Sequence, residues 1–172
     1  MSSAISPKTQ KRAGKAGVRP FVPGPILKFL MEDMGNPIIS SRLRSAKPGK
    51  LAESVLLLTF TGRKSGKEFT TPVGYTQHGD TLTVFTGRPW WKNLQERPNV
   101  RVWVRGRDLD GVAQVMTDNA EVARAAQAFI AEQGAKNAQR IGLLVARGCQ
   151  PTYQELLEAT RDRVVILIKV AE

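Results

Sequence analysis

The apolar run at residues 55–60 constrains the fold more than any other feature of this chain. It reads VLLLTF and is typical of a β-strand that is covered on both faces. A polar turn, GRKSGK, follows at residues 62–67, and residues 69–75 return as a second extended segment. Pro72 lies inside that segment, where proline marks the edge of a sheet or a bulge. The pattern predicts a β-hairpin at the start of the core.

Four later segments complete the predicted sheet. Residues 82–85 and 109–117 follow turns at HGD and RGRD, and residues 164–170, VVILIKV, form a late buried strand. Valines alternate with other residue types over residues 100–104, which is typical of a half-buried strand. These segments predict a mainly antiparallel, six-stranded sheet. Consecutive strands with helices at the edges favour an α+β protein built on a small closed or split β-barrel.

Helices are predicted from apolar spacing and from capping residues. The segment RPWWKNLQERP reads as a short helix between Pro89 and Pro98. Asp118 followed by Glu121 resembles a capping box at the start of a longer helix. The buried stripe of that helix is predicted to contain Val122, Ala125, Ala126, Phe129 and Ile130. Further helices are predicted at residues 25–34, 138–146 and 152–160.

The charge balance of the chain is strongly basic. Among 172 residues, 26 are Lys or Arg and 15 are Asp or Glu, which gives a net charge of +11. Such a field favours anionic partners, namely nucleic acid, anionic lipid, or a small ligand that carries phosphates or carboxylates. Nucleic acid is rejected, because Asp108 and Asp110 follow the basic strand directly and no known binding motif is present.

Two regions differ in composition. Residues 1–24 contain five cations and no acid, which predicts a basic disordered arm, whereas residues 25–172 are predicted to form a single split-barrel domain. No apolar stretch is long enough to span a membrane, and the basic start lacks the apolar core of a secretory signal. One cysteine suits the cytoplasm. The arm precedes residues 25–34, and two alternatives follow: peripheral contact with the anionic inner face of a membrane, or a solvated arm beside a helix that caps the barrel.

Few side chains are available for metal or nucleophilic chemistry. Cys149 is the single cysteine and His78 the single histidine, so no metal site of transition-metal type is predicted. His78 is expected to be an exposed turn residue and Cys149 a small apolar filler.

The turn GRKSGK has two alternative interpretations. It is not a nucleotide-hydrolysing P-loop, because only three residues lie between its glycines where a P-loop has four, Glu68 follows Lys67, and a strand comes next. One interpretation is a phosphate cradle, in which side-chain donors and exposed backbone N–H groups bind an anion. The members of this cradle would be Gly62, Arg63, Lys64, Ser65 and Gly66. The other interpretation is a solvated basic hairpin turn.

Two adjacent tryptophans follow the predicted strand at residues 82–85. Neighbours on a helix point about 100° apart, so Trp90 and Trp91 cannot both face one core. One of them would pack inward while the other lines a cleft, or the helix would plug one end of the barrel. Arg88, just before them, would supply a second contact to an anion.

The chain resembles the deazaflavin-dependent nitroreductase family, whose members are split-barrel flavin or deazaflavin oxidoreductases related to FMN-binding barrels. The resemblance rests on LLLTFTGRKSGKEFTTPVGY, HGDTLTVFT and PWWKNLQERPNVRVWVRG, and more weakly on PTYQELLEATRDRVVILI. It implies that coenzyme F420 binds across the barrel, with its phosphate and polyglutamate tail on the basic turn. Arg63, Lys64 and Ser65 would then bind the phosphate. Pro72, Tyr75, Trp90 and Asn93 would lie beside the cofactor.

The implied function is an F420H2-dependent reductase that transfers hydride to a hydrophobic electrophile such as a quinone, an activated alkene or a nitro compound. Tyr153 is the candidate proton donor or pocket wall, and Thr86 a candidate hydrogen-bond donor to substrate. The loop between the third strand and the tryptophan helix is shorter than in many members. This departure keeps two alternatives open: FMN in place of F420, and a non-catalytic barrel protein that binds a lipid, haem or flavin-type cofactor. The oligomeric state is not predicted.

Overall fold

The computed structural model describes residues 17–21, 41, 44 and 53–171. The strands are β1 (Val18–Pro20), β2 (Val55–Thr61), β3 (Glu68–Gly74), β4 (Thr76–His78), β5 (Thr81–Thr86), β6 (Asn99–Val104), β7 (Arg107–Met116), β8 (Leu143–Val145) and β9 (Val164–Val170). Between residues 53 and 171 the α-helices are α1 (Lys92–Glu96), α2 (Asn119–Gln133) and α3 (Tyr153–Ala159). Segments of 3-10 helix span Pro89–Trp91 and Ala135–Ile141.

One antiparallel sheet carries the fold. Its strand order is β3-β2-β6-β7-β9-β5-β4, and it curls into a half-barrel. The predicted α+β, mainly antiparallel split barrel is therefore confirmed, although the sheet has seven strands where six were predicted. The additional strand is β4, which turns through Gly79 and pairs with β5. It was missed because three residues are too short to show a period of two.

The core fills the concave side of this sheet. Alternate residues of a strand point to one face, so β2 sends Leu56, Leu58 and Phe60 inward. The late strand β9 lies between β7 and β5 and adds Ile166 and Ile168 to the same cluster. Complete burial of such a side chain contributes about 1.5–3 kcal/mol, so this cluster is a main source of stability.

A second core lies under α2 and α3. Asp118 caps α2 by accepting a hydrogen bond from the N–H of Glu121 at 3.0 Å, as its position before the apolar stripe predicts. The buried side of α2 contains Val122, Ala123, Ala126, Phe129 and Ile130. Ala123 is buried, whereas the predicted Ala125 is only partly buried. The buried face is therefore rotated slightly about the helix axis from the predicted one.

Two predictions about secondary structure are wrong within the described residues. Residues 18–20 belong to the predicted disordered arm, yet they form β1 because their backbone pairs with β8. The helix predicted at residues 138–146 is instead a 3-10 helix that stops at Gly142, followed by β8. Gly142 has a φ of 72°, a left-handed conformation that ends the helix. Both errors have one cause, since β1 and β8 pair across more than 100 residues of sequence.

Several predictions concern residues outside the described part. Residues 1–16 and the helix predicted at residues 25–34 lie there. Within the described residues, no helix is long and apolar enough to cross a membrane.

Candidate functional site

The basic turn between β2 and β3 is closed by its own backbone. The N–H of Gly62 donates to the carbonyl of Lys67 at 2.7 Å, and the N–H of Gly66 donates to the carbonyl of Gly62 at 2.9 Å. Gly66 has a φ of 67°, which suits a residue without Cβ. A Cβ on Gly62 would lie 2.7 Å from the ring of Phe69, so the turn packs tightly over its own strand.

Asn93 of α1 joins this turn to the tryptophan segment. Its side-chain oxygen accepts a hydrogen bond from the N–H of Arg63 at 3.0 Å. Its side-chain nitrogen donates to the carbonyl of Trp90 at 2.8 Å. Both ends of the carboxamide are therefore used to hold the turn against the helix. Asn93 lies beside the candidate site, and its role there is to position the turn.

An acidic residue that sequence reasoning missed lies at the turn. The guanidinium of Arg63 pairs with the carboxylate of Glu96 at 3.0 Å. Glu96 is 33 residues away along the chain and enters because α1 packs beside β2. The segment NLQE at residues 93–96 offered a signal, since Asn93 and Glu96 are three positions apart and share one helical face. The turn therefore has one cation already paired, while Lys64 and Lys67 are exposed.

Two backbone donors of the turn point to an anion site. The N–H groups of Lys64 and Ser65 have no acceptor within the described part of the chain. Exposed N–H groups in a turn, next to cationic side chains, bind oxyanions well. The hydroxyl of Ser65 accepts from the N–H of Lys67 at 3.3 Å and retains its own hydrogen for a ligand.

A cavity of about 470 Å³ opens beside the turn, and we name it the turn cavity. Seven of the residues predicted to bind a cofactor line it together with Phe69 and Pro89. These seven are Gly62, Arg63, Lys64, Ser65, Arg88, Trp90 and Asn93. The lining of the cavity thus combines cationic residues with aromatic and apolar ones.

Trp90 and Trp91 differ in burial, as their helical spacing predicts. Trp90 is 8% exposed and stacks on Phe60 of β2, with ring centroids 5.3 Å apart. Trp91 is half-buried, and the Lys92 ammonium lies 5.7 Å from its ring centroid. Trp90 is therefore both a core residue and a cavity wall.

A second cavity, of about 280 Å³, adjoins the first through Arg88 and Trp90, which line both. We name it the arginine cavity, because three arginine residues line it. Its polar lining residues are Thr71, Thr86, Arg88, Gln139, Arg140 and Arg163, and its apolar walls include Phe21, Pro72, Val73, Phe85 and Trp90. No carboxylate of the described residues lines it.

Backbone carbonyls hold two of these arginines. Arg163 donates from Nη2 to the carbonyl of Gly142 at 2.6 Å, and Arg140 donates from Nη2 to the carbonyl of Tyr75 at 3.0 Å. A Cβ on Gly142 would lie 2.3 Å from Nη1 of Arg163, so the glycine makes room for this guanidinium. Burial lowers the pKa of Arg163, and the neighbouring carboxylate of Asp162 opposes that shift.

Thr86 lies in the arginine cavity and the two tyrosines lie elsewhere. The Thr86 hydroxyl accepts a hydrogen bond from the N–H of Arg88 at 3.1 Å and retains a hydrogen to donate. Tyr75 is 2% exposed in the barrel core and lines a different cavity with Arg140. Tyr153 packs in the second core, where its hydroxyl donates to the carbonyl of Ala120 at 3.4 Å. Neither tyrosine is among the described residues that line the turn or arginine cavities.

Comparisons with solved structures give several similar folds. An F420 reductase is 17% identical, covers 74% of this chain and 97% of its own, and has a TM-score of 0.45. An F420-H2 dependent reductase is 18% identical, with coverages of 67% and 93% and a TM-score of 0.41. The heme storage protein HutZ from Vibrio cholerae is 12% identical, with coverages of 79% and 89% and a TM-score of 0.46. No curated protein sequence matches the chain.

A family model decides the identity. The model described as F420H(2)-dependent quinone reductase matches residues 40–142, which is more than half of the 172 residues. The matched segment contains the basic turn, the tryptophan helix and most of the barrel. The chain therefore belongs to the F420H2-dependent quinone reductase family and is an oxidoreductase that uses coenzyme F420.

Proposed function

We propose that this protein transfers hydride from reduced F420 to a hydrophobic electrophile such as a quinone, an activated alkene or a nitro compound. The observation that carries the proposal is that the two cavities share lining residues. Arg88 and Trp90 line both, so a ligand anchored at the turn would lie next to the apolar residues of the second cavity. A cofactor with an anionic tail and a flat ring system needs this combination.

The residues present fit the anionic part of F420. Lys64 and Ser65 offer unpartnered backbone N–H groups, and both residues line the turn cavity. Charge-assisted hydrogen bonds of this type are about twice as strong as neutral ones. Lys64 and Ser65 would thus hold the phosphate and the tail, and Arg63 would contribute while remaining paired with Glu96.

Coenzyme F420, when bound, supplies the hydride, and the protein supplies binding, orientation and a dry site. Trp90 and Phe69 form apolar walls of the turn cavity and exclude water from it. The Thr86 hydroxyl lies in the adjoining cavity and retains a hydrogen that it can donate to an acceptor oxygen. Tyr153 is not proposed as the proton donor, because its hydroxyl lies in the second core.

Binding of F420 and FMN to the full-length protein tests this proposal. F420 carries more negative charge than FMN, so we expect it to bind more tightly and to weaken as salt rises, since salt screens exposed charges. Replacing Lys64 with Ala should weaken F420 binding by about tenfold, which corresponds to one charge-assisted hydrogen bond. Lys136→Ala, an exposed cation that lines neither cavity, is the matched control. Equal binding of FMN, or no effect of Lys64→Ala, would contradict the proposal.

Activity is measured in a second step. Reduced F420 is mixed with the protein and with a quinone, an enone or a nitroarene, and its oxidation is followed by absorbance. Turnover with any of these acceptors supports the reductase. If F420 binds tightly but none of these acceptors is reduced, the proposed F420 site is supported and the proposed class of acceptor is refuted.

We further propose that the basic segment at residues 1–16 places the enzyme at an anionic membrane surface, where lipid-soluble quinones are found. The segment has four cations and no acid, and each cation near such a surface adds about 1 kcal/mol of attraction. Flotation with vesicles that contain acidic lipid is expected for the full chain and lost on deletion of residues 1–16. A full chain that never floats would refute peripheral binding.

A further inference from the structure

We propose that the arginine cavity binds the carboxylate of the hydride acceptor, so that the enzyme's substrate is a flat, apolar molecule carrying an acid group. This inference rests on the proposed function, because it assigns a substrate class to the pocket beside the proposed F420 site. A neutral quinone would satisfy the apolar walls of the pocket. It would leave the cations without a partner.

The first argument is the excess of positive charge. Arg88, Arg140 and Arg163 line one cavity of about 280 Å³, and none of them forms an ion pair within the described residues. The Nε atom of Arg140 is buried and has no hydrogen-bond partner among those residues. All three arginines are partly buried, and a charge that is partly removed from water without a paired anion carries a free-energy cost. An anionic ligand removes that cost.

The second argument is that two of the guanidinium groups are held in place before any ligand binds. Carbonyl oxygens of Gly142 and Tyr75 accept from Nη2 of Arg163 and Arg140, respectively. These acceptors are neutral, so they orient the guanidinium groups without cancelling their charge. The missing Cβ of Gly142 leaves the space that Arg163 occupies. A fixed donor fork loses little entropy when it binds a planar carboxylate.

The third argument is the chemistry of the remaining wall. Pro72, Phe85, Trp90 and Phe21 add apolar surface to the lining of the cavity. Its volume lies just below the range of about 300 to 1,000 Å³ that is usual for ligand pockets, so one or two rings fit.

The carboxylate takes no part in the bond changes. In the acceptor, one C=C or C=O π bond breaks, and one hydride and one proton are added in its place. Both would come from bound reduced F420, which would lose two electrons with the hydride, so that atoms and electrons balance. Arg88, which lines both cavities, would hold the acid group close to the ring of the coenzyme.

The test compares an acid with its neutral isostere on the full-length protein. 2-Naphthoate and 2-naphthamide have nearly the same shape, and calorimetry measures the binding of each with and without saturating F420. We expect naphthoate to bind at least about tenfold more tightly than the amide, since the acid gains charge-assisted hydrogen bonds. F420 should not displace it. The variants Arg163→Gln and Arg88→Gln should each reduce this preference in the absence of F420.

The matched control is Arg161→Gln, two residues from Arg163. Arg161 pairs with Glu158 at 2.9 Å and lines neither cavity, so this variant should keep the preference for the acid. Thermal unfolding shows whether Arg163→Gln is folded; if it is not, Arg88→Gln decides.

Each outcome separates this inference from the proposed function. Equal binding of acid and amide overturns the carboxylate site and leaves F420 binding untouched. Displacement of naphthoate by F420 also overturns it, because the cavity then belongs to the coenzyme. A preference for the acid in a protein that binds no F420 supports the carboxylate site while refuting the proposed function.

Discussion

At the scale of single residues, Arg63 has partners that its sequence position does not reveal. Its N–H donates to Asn93 and its guanidinium pairs with Glu96, both on α1. The sequence predicts Arg63 and Asn93 as cofactor residues, and the structure places both in the lining of the turn cavity. Their contacts with each other depend on packing between α1 and the hairpin, which residue spacing alone does not specify. Arg63 is therefore a cation whose charge is partly compensated before a cofactor arrives.

We predict that Glu96→Gln strengthens F420 binding. The change removes the anion that competes with the coenzyme for the Arg63 guanidinium, while the amide preserves the size of the side chain. Exposed ion pairs contribute little, so the expected gain in affinity is about two- to fivefold. Fluorescence titration of F420 at low salt measures it.

Glu158→Gln provides the control for this prediction. Glu158 pairs with Arg161 in the same way, at 2.9 Å, but lines neither the turn cavity nor the arginine cavity. Its replacement also raises the net charge by one and should leave F420 affinity within about twofold. If both variants bind F420 equally more tightly, the gain comes from net charge and the competition at Arg63 is refuted.

At the scale of elements, the sequence predicts those segments whose signals are local. The six longest strands of the sheet, α1 with its 3-10 start, α2 and α3 all form close to where apolar period and capping residues predict them. Thr152 and Glu155 form a complete capping box at the start of α3. The pair β1 and β8 was not predictable, because three-residue strands have no period and find each other only in the folded chain.

Glu155 connects α3, which the sequence predicts, to β1, which it does not predict. Its carboxylate accepts from the N–H of Thr152 at 2.9 Å and from the N–H of Gly17, beside β1, at 2.8 Å. These backbone donors, with the Thr152 hydroxyl, lower the pKa of the Glu155 carboxyl, and partial burial opposes them. The ionised carboxylate therefore stabilises both the start of α3 and the docking of β1.

We predict that this contact makes stability depend on pH in the acid range. A carboxyl whose pKa is lowered on folding stabilises the protein above its unfolded pKa, and the effect is lost as the pH falls through the folded pKa. Glu155→Gln should therefore lower the free energy of unfolding at neutral pH, and the difference from wild type should shrink below about pH 4. Urea unfolding at several pH values measures this. Glu158→Gln, on the same helix but without a bond to Gly17, controls for loss of a carboxylate; a difference that stays constant with pH would contradict the prediction.

At the scale of the whole molecule, the two cavities differ in how far their lining residues can be predicted from the sequence. The turn cavity is lined by residues of two short segments, residues 62–69 and 88–93, and most of its members carry recognisable motifs. The arginine cavity combines residues of the segments 71–74 and 85–90 with Arg140 and Arg163, which come from a 3-10 helix and from the residue before β9. Neither arginine belongs to a motif. Only the closure of the half-barrel brings them beside Thr86 and Trp90.

The net charge of +11 leads to a last prediction about association kinetics. A positive field steers an anionic ligand toward the protein and raises the association rate, whereas contacts at the site govern dissociation. Stopped-flow mixing with F420 should show an association rate constant that falls about tenfold between about 20 and 200 mM salt. The double variant Arg124→Gln, Lys136→Gln removes two exposed charges that line neither cavity and should lower association by less than about twofold, with dissociation unchanged. Lys64→Gln, within the turn, should instead accelerate dissociation. An association rate that does not change with salt would show that the basic charge of this chain does not serve capture of the coenzyme.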